Sequence, residues 1–245
     1  MKPIAIEKHS PIKIFHQHGI FAEYATTCVS NFSPHWFDSN FWQQQQAIVG
    51  TATGRGTTWF IEHHQQQWVL RHYYRGGLVG KLIRDHYWFL SMAKTRAARE
   101  FHLLRTLQTL QLPAPVPIAY QVVRAGLCYR ADLITERITN AHDLVALLSQ
   151  QSIPAALWQK IGATIRAFHQ HGIYHHDLNA HNILIDDQQQ VWLIDFDQGE
   201  QRAVNNHWPQ QNLARLLRSF NKEQAKHTHW AWQTQDWQSL LSGYK

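Results

Sequence analysis

The stretch Tyr174-His175-His176-Asp177-Leu178-Asn179-Ala180-His181-Asn182 constrains this chain more than any other part of it. Asp177 and Asn182 stand five residues apart, and two short apolar runs, residues 183–185 and 191–194, then lead to Asp195-Phe196-Asp197. Polar residues 186–190 separate the runs, so the pair reads as a small β-hairpin. Ahead of the stretch, residues 154–171 carry Leu157, Ile161, Ile165 and Phe168 on one helical face, with Gly172 placed to stop the helix. Singly, Asp177 and Asn182 read as turn formers and Asp195 as a strand-end cap. Between a helix and a hairpin they read as a set, because one loop and the hairpin behind it can bring all three oxygen-bearing groups to one place.

Phosphoryl transfer needs such a set: a carboxylate to orient or deprotonate the attacking hydroxyl, and hard oxygen ligands for a cation that bridges nucleotide phosphates. The loop resembles the kinase pattern H-R-D-L-x-x-x-N, with His176 where arginine usually stands, and Asp195-Phe196-Asp197 resembles D-F-G with Asp197 replacing glycine. Asp177 is therefore the candidate catalytic residue, and Asn182 and Asp195 are the candidate Mg²⁺ ligands. The fold expected is α+β and protein-kinase-like, with two lobes. An antiparallel strand-rich N-lobe with one long helix spans residues 46–136, a reduced, mainly helical C-lobe spans 137–245, and residues 1–45 form an N-terminal extension.

The earlier half of the chain fits this plan. Residues 48–56 read as a strand entering a glycine-rich turn, with Gly50, Gly54, Arg55 and Gly56 placed to lie over phosphates. Residues 57–63 and 68–74 read as a hairpin, and Arg71 stands where the lysine for the α- and β-phosphates is expected. A guanidinium binds phosphate bidentately and still pairs with a helix carboxylate, so the role survives the substitution. Its expected partner is Glu100, on a helix over 94–110 marked by Ala97, Phe101, Leu104 and Leu107; an exposed helix charge is the alternative reading of Glu100. Pro113, Pro115 and Pro117 end that helix. A second hairpin follows over 116–135, and the backbone from Glu136 to Ile138 is the expected seat of the adenine. Helices are expected over 141–148, 212–220 and 233–241.

Together, residues 71–78, the loop 174–182 and the tail 195–199 resemble the 3-deoxy-D-manno-octulosonic acid (Kdo) kinase family, within the lipopolysaccharide kinases. The likeness runs from about Gly50 to Ser219. It implies ATP-dependent phosphorylation of the Kdo 4-hydroxyl on a Kdo-lipid A precursor during inner-core assembly, with ATP and Mg²⁺ as cofactors. It also implies a peripheral location at the cytoplasmic face of a Gram-negative inner membrane, and makes Arg71 a family trait.

Composition agrees with an anionic partner: Lys and Arg outnumber Asp and Glu by 23 to 17. Between Arg71 and Glu100 the only acid is Asp85, and Lys81 and Arg84 lie among aliphatic and aromatic residues, a mixture suited to an anionic glycolipid surface. A solvated helix face with ordinary core is the competing reading of that segment. Arg75, Lys81, Arg84 and His181 are the candidate substrate or membrane contacts. Trp230, Trp232 and Trp237 are read as packing for the last helices, with an interfacial anchor as the alternative.

Neither a signal peptide nor a membrane-spanning helix is read from the sequence. Cys28 and Cys128 form no spacing motif, and no zinc-site spacing accompanies the histidines. No recognised nucleic-acid motif appears and no obligate protein partner is expected. The chain lacks the A-P-E that ends the activation segment of peptide kinases, which favours a small-molecule or glycolipid hydroxyl. The rival readings are another acceptor on the same fold (heptose, a small alcohol or a protein) and a non-catalytic nucleotide-binding pseudokinase.

Overall fold

The computed structural model describes residues 11–54, 56–75, 85–205 and 207–245. They form two compact units, one of Val116–Arg137 with the described residues up to Thr109, the other of Leu110–Pro115 with Ile138–Lys245.

The first unit is built on an antiparallel sheet. Its strands are β1 (Ile12–Gln17), β2 (Ile20–Ala25), β3 (Ile48–Thr53), β4 (Thr57–His63), β5 (Gln66–His72), β6 (Tyr87–Trp88), β7 (Pro117–Ala125) and β8 (Cys128–Glu136). They run in the order β1-β2-β7-β8-β5-β4-β3, with β6 also paired to β8. The hairpin expected to turn at Gln65–Gln67 turns one residue earlier. His63 pairs with Gln66, and His64 and Gln65 both take positive φ, 48° and 65°, the two-residue geometry whose twist matches the flanking strands.

Residues 12–44, read as an extension, join this unit. β1 and β2 continue the sheet beyond β7, and α1 (Ser39–Gln44) with the 3₁₀ turn Pro34–Phe37 buries Trp36, Phe37 and Trp42 against Ile61, Trp68 and Ile134. Aromatic area of this size is too costly to leave in water. The long helix α2 (Arg96–Thr109) buries Ala97, Phe101, Leu104 and Leu107, and Phe101 meets Tyr120 of β7.

The second unit holds β9 (Ala141–Asp143), α3 (Leu144–Leu148), α4 (Ala155–Gln170), β10 (Ile173–Tyr174), β11 (Ile183–Asp186), β12 (Val191–Leu193), β13 (Glu200–Gln201), α5 (His207–Gln224) and α6 (Thr234–Tyr244). The helix expected over 141–148 starts only at Leu144, because Asp143 caps it by accepting from the N–H groups of Val145 and Ala146. Ala141–Asp143 instead pair with β11, which makes the expected hairpin the core of a three-stranded sheet. Phe220 of α5 meets Trp158 of α4 and stacks on Trp232, so the C-terminal aromatics serve as packing.

α4 and α6 touch through glycines. A Cβ added at Gly162 would lie 1.9 Å from the Leu240 carbonyl oxygen, and one at Gly243 would lie 2.0 Å from that of Gln159. Backbone cannot yield as a side chain can. Gly162→Ala is therefore expected to lower the unfolding free energy by about 1–3 kcal/mol through overpacking. Denaturant titration would read this directly, and an unchanged midpoint would mean that the two helices part at no cost.

Candidate active site

The loop after β10 is tied around Asp177. His175 is 2% exposed, and its backbone N–H donates to Oδ1 of Asn212. One ring nitrogen, Nε2, lies 2.9 Å from the Ile194 carbonyl, which can only accept; the other, Nδ1, lies 3.2 Å from the Asp177 N–H, which can only donate. The ring must therefore be the neutral Nε2–H tautomer. Burial, which pushes its pKa down, keeps it so. Asn179 caps the 3₁₀ turn Ala180–Asn182, and the side-chain amides of Asn179 and Asn182 both donate to the Asp177 carbonyl, at 3.1 and 2.9 Å.

This arrangement fixes the Asp177 backbone while leaving its side chain 45% exposed. Asn182 is also joined to the end of the hairpin, because its backbone carbonyl accepts from the N–H of Ile194 at 3.0 Å. The next residue, Asp195, takes φ 62°, a left-handed conformation that costs an aspartate little. Phe196 is fully buried between Phe168 and the His175 ring. Asp177, Asn182 and the start of Asp195-Phe196-Asp197 are thus brought together by direct hydrogen bonds.

Helix α5 supplies a row of contacts that the sequence reading did not identify. Asn212 receives the His175 N–H, Nη1 of Arg215 lies 3.1 Å from Oδ1 of Asp177, and Ser219 Oγ accepts the Ala180 N–H at 3.0 Å. Glu223 lies 3.6 Å from His181. Spacings of three, four and four residues put all four side chains on one helical stripe. The available signal was Asn212, Arg215 and Ser219 interleaved with Leu213, Leu216 and Phe220.

His181 bridges two elements of this unit, with Nδ1 3.5 Å from Asp143 and Nε2 3.6 Å from Glu223. The hydrogen bond to Asp143 raises its pKa against the opposing effect of burial, and the charges of Asp143 and Glu223 add to the rise. The structure thus gives His181 an internal ionic role.

In the first unit, Arg71 of β5 reaches Glu100 of α2, Nη2 to Oε1 at 2.5 Å, and the Tyr73 hydroxyl donates to the other oxygen at 2.6 Å. Glu100 is 2% exposed, so a cation beside it offsets a large desolvation cost. Gly50 lies within β3 rather than in the turn. A Cβ added at Gly56 would lie 1.9 Å from the Tyr74 ring, which would have to shift, whereas Gly54 has open space. The N–H of Glu136 is engaged by the Val116 carbonyl and that of Arg137 by Gln67. Arg75 lies over the Tyr87 ring, 4.9 Å from its centroid. Arg55, Lys81 and Arg84 lie outside the described residues.

An antiparallel sheet carrying an arginine–glutamate pair, and a helical unit holding Asp, Asn and Asp on one loop and hairpin, define a kinase-class phosphotransferase. The model of the Lipopolysaccharide kinase (Kdo/WaaP) family matches residues 39–244, and the chain belongs to that family. It is 52% identical over 210 residues to a 3-deoxy-D-manno-octulosonic acid kinase of Vibrio vulnificus (strain YJ016), covering 85% of this chain and 88% of that relative. The kinase of the same name from Vibrio cholerae serotype O1 is 48% identical over 206 residues, 84% of this chain and 86% of its own length. That of Haemophilus influenzae (strain 86-028NP) is 45% identical over 219 residues, 85% and 89%. Membership makes the protein a phosphotransferase with an alcohol acceptor and implies ATP as donor.

The buried histidines behind the loop give it a pH dependence. His169 of α4 bonds to the Tyr244 hydroxyl at 2.8 Å, and burial lowers its pKa from 6.5 to about 4, with the neighbouring His175 adding to the fall. A depressed folded-state pKa means that the unfolded chain takes up the proton first. Its contribution is fully present above 6.5 and is lost as pH falls toward 4, amounting to about 3 kcal/mol. Between about pH 7 and about pH 4.5, His169→Gln should lose about 2–3 kcal/mol less unfolding free energy than the wild type. Equal losses in urea titrations would remove His169 from this role.

Proposed function

We propose that the protein transfers the γ-phosphoryl group of ATP to the 4-hydroxyl of Kdo on a Kdo-lipid A precursor, in lipopolysaccharide inner-core assembly. The observation that carries this reading is the exposed Asp177 carboxylate on a backbone locked by Asn179, Asn182 and His175, in a chain about half identical to relatives named for Kdo. Asp177 accepts a hydrogen bond from the acceptor hydroxyl, aligns its lone pair and takes its proton. Arg71 holds phosphate oxygens bidentately, and Glu100 fixes the guanidinium plane. The turn Gly54–Gly56 covers the phosphates. Since the N–H groups of Glu136 and Arg137 are already engaged, the adenine reading narrows to the Glu136 carbonyl and the Ile138 N–H.

Asn182 and Asp195 would hold Mg²⁺, which is ordinarily held by one or two protein oxygens together with nucleotide phosphates. The Asn182 amide suits this, because Nδ2 is spent on the Asp177 carbonyl and the oxygen is the end left to ligate. The bound ion would neutralise charge on the β- and γ-phosphates.

The acceptor is a membrane glycolipid, and the first unit has an edge suited to such a surface. Trp88 and Leu127 are each 69% exposed and Leu90 is 77% exposed, beside the exposed cations Arg124 and Arg130. Tryptophan favours headgroup depth and the cations favour anionic lipid. No helix among the described residues is long and apolar enough to cross a membrane. The exposed apolar and cationic edge is what supports our reading of peripheral attachment, at the cytoplasmic face of the inner membrane. Replacing Trp88 and Leu90 together by serine should weaken binding to vesicles rich in anionic lipid several-fold, as sedimentation would report. Undiminished, salt-sensitive binding would move the contact to the cations alone.

Transfer of labelled phosphate from Mg·ATP to a Kdo-bearing lipid A precursor tests the whole reading. Asp177→Asn should lower turnover at least about 100-fold while ATP affinity stays within about twofold. Wild-type inactivity toward this acceptor, with activity toward a heptose acceptor, would reassign the substrate.

A further inference from the structure

Asp177 meets Arg215, and the loop arginine of the common motif is replaced by His176. An exposed arginine–aspartate pair contributes little to stability, and Arg215 and Asp177 are 42% and 45% exposed. Among the described residues the structure gives the guanidinium one hydrogen bond, to Oδ1 of Asp177, out of the five that it can donate. Its place on the α5 stripe, between Asn212 and Ser219, holds it at that carboxylate. A cation is thus stationed at the group that receives the acceptor hydroxyl, with most of its donors unspent.

The acceptor's chemistry supplies a use for them. An octulosonic acid carries a carboxylate on ring carbon C2, and a single carbon, the deoxygenated C3, separates C2 from the carbon bearing the 4-hydroxyl. A pose that brings the 4-hydroxyl to Asp177 therefore also brings the substrate carboxylate, on the same edge of a rigid ring, into the neighbourhood of an ionised aspartate. Two carboxylates so placed repel unless a cation sits between them. We infer that Arg215 is the specificity residue of this enzyme: it binds the carboxylate of the acceptor sugar while holding Asp177, and so selects an acidic sugar over neutral heptose or a small alcohol. The inference rests on the Kdo acceptor proposed above. A guanidinium suits the task because its planar fork can serve two carboxylates at once, which an ammonium does with far less geometric control.

The test uses the full-length protein, Mg·ATP and two acceptors: the Kdo-bearing lipid A precursor, and the same compound with the Kdo carboxylate converted to its methylamide. Wild-type kcat/KM should fall at least about tenfold on amidation. Arg215→Gln should lose activity on the natural acceptor and respond to amidation by no more than about twofold, and Arg215→Lys should lie between them. If Arg215→Gln slows both acceptors by the same factor, Arg215 only orients Asp177 and the inference fails. A wild type indifferent to amidation overturns it whether or not the variants fold. A wild type that phosphorylates neither compound but accepts another sugar or alcohol sinks the Kdo reading itself.

Discussion

The second unit depends on a histidine that never meets solvent. His175 holds the Asp177 N–H on one ring nitrogen and the Ile194 carbonyl on the other, so a single planar group sets the distance between the loop and the residue before Asp195. Only the neutral ring does both, because a protonated Nδ1 would confront the Asp177 N–H with a second donor. The cost of charging a buried imidazole keeps the neutral form in place. Phe196, backed by Phe168, supplies the apolar wall that makes this cost large. Hydrophobic packing and hydrogen bonding are therefore one device: the aromatic residues select the tautomer, and the tautomer joins the chain segments.

The loop is gripped from the other side by α5. Four side chains on one stripe engage positions 175, 177, 180 and 181, so a rigid helix acts as a template for an irregular segment. Three of the contacts leave nothing for a ligand: Asn212 and Ser219 satisfy loop N–H groups, and Glu223 is offset by His181 and Lys226, whose effects outweigh burial and lower its pKa. Arg215 alone on this stripe contacts the exposed carboxylate. The structural and functional parts of the stripe thus divide by the exposure of what each residue touches.

Much of this was legible in the sequence because the informative patterns are local. The spacing of Asp177, Asn182 and Asp195, the long helix ended by Gly172, and the hairpin around residues 186–190 each follow from periodicity or turn chemistry within some twenty residues. The pairing of Arg71 with Glu100 came from a motif rather than from spacing. The contribution of residues 12–44 was not legible, because the β1–β2 hairpin joins the sheet only through β2, whose partner β7 lies about a hundred residues later, and short aromatic-rich turns carry no period. The role of Arg215 was hidden for a related reason. A charge on an amphipathic helix looks like solvent-facing surface until the loop it touches has been folded beneath it.

The two arginines follow one rule. At two places where the sequence departs from the common kinase pattern, lysine to Arg71 and arginine to His176, a guanidinium stands beside a carboxylate: Arg71 on Glu100 and Arg215 on Asp177. The environments are opposite. Glu100 is sealed and already bonded to Tyr73, so its partner must shed water, and a guanidinium is more weakly hydrated than an ammonium. Asp177 is open, so its partner need not shed water and is valuable instead for the donors that remain. One side chain suits both demands because its charge is spread over a plane wider than a single carboxylate can occupy.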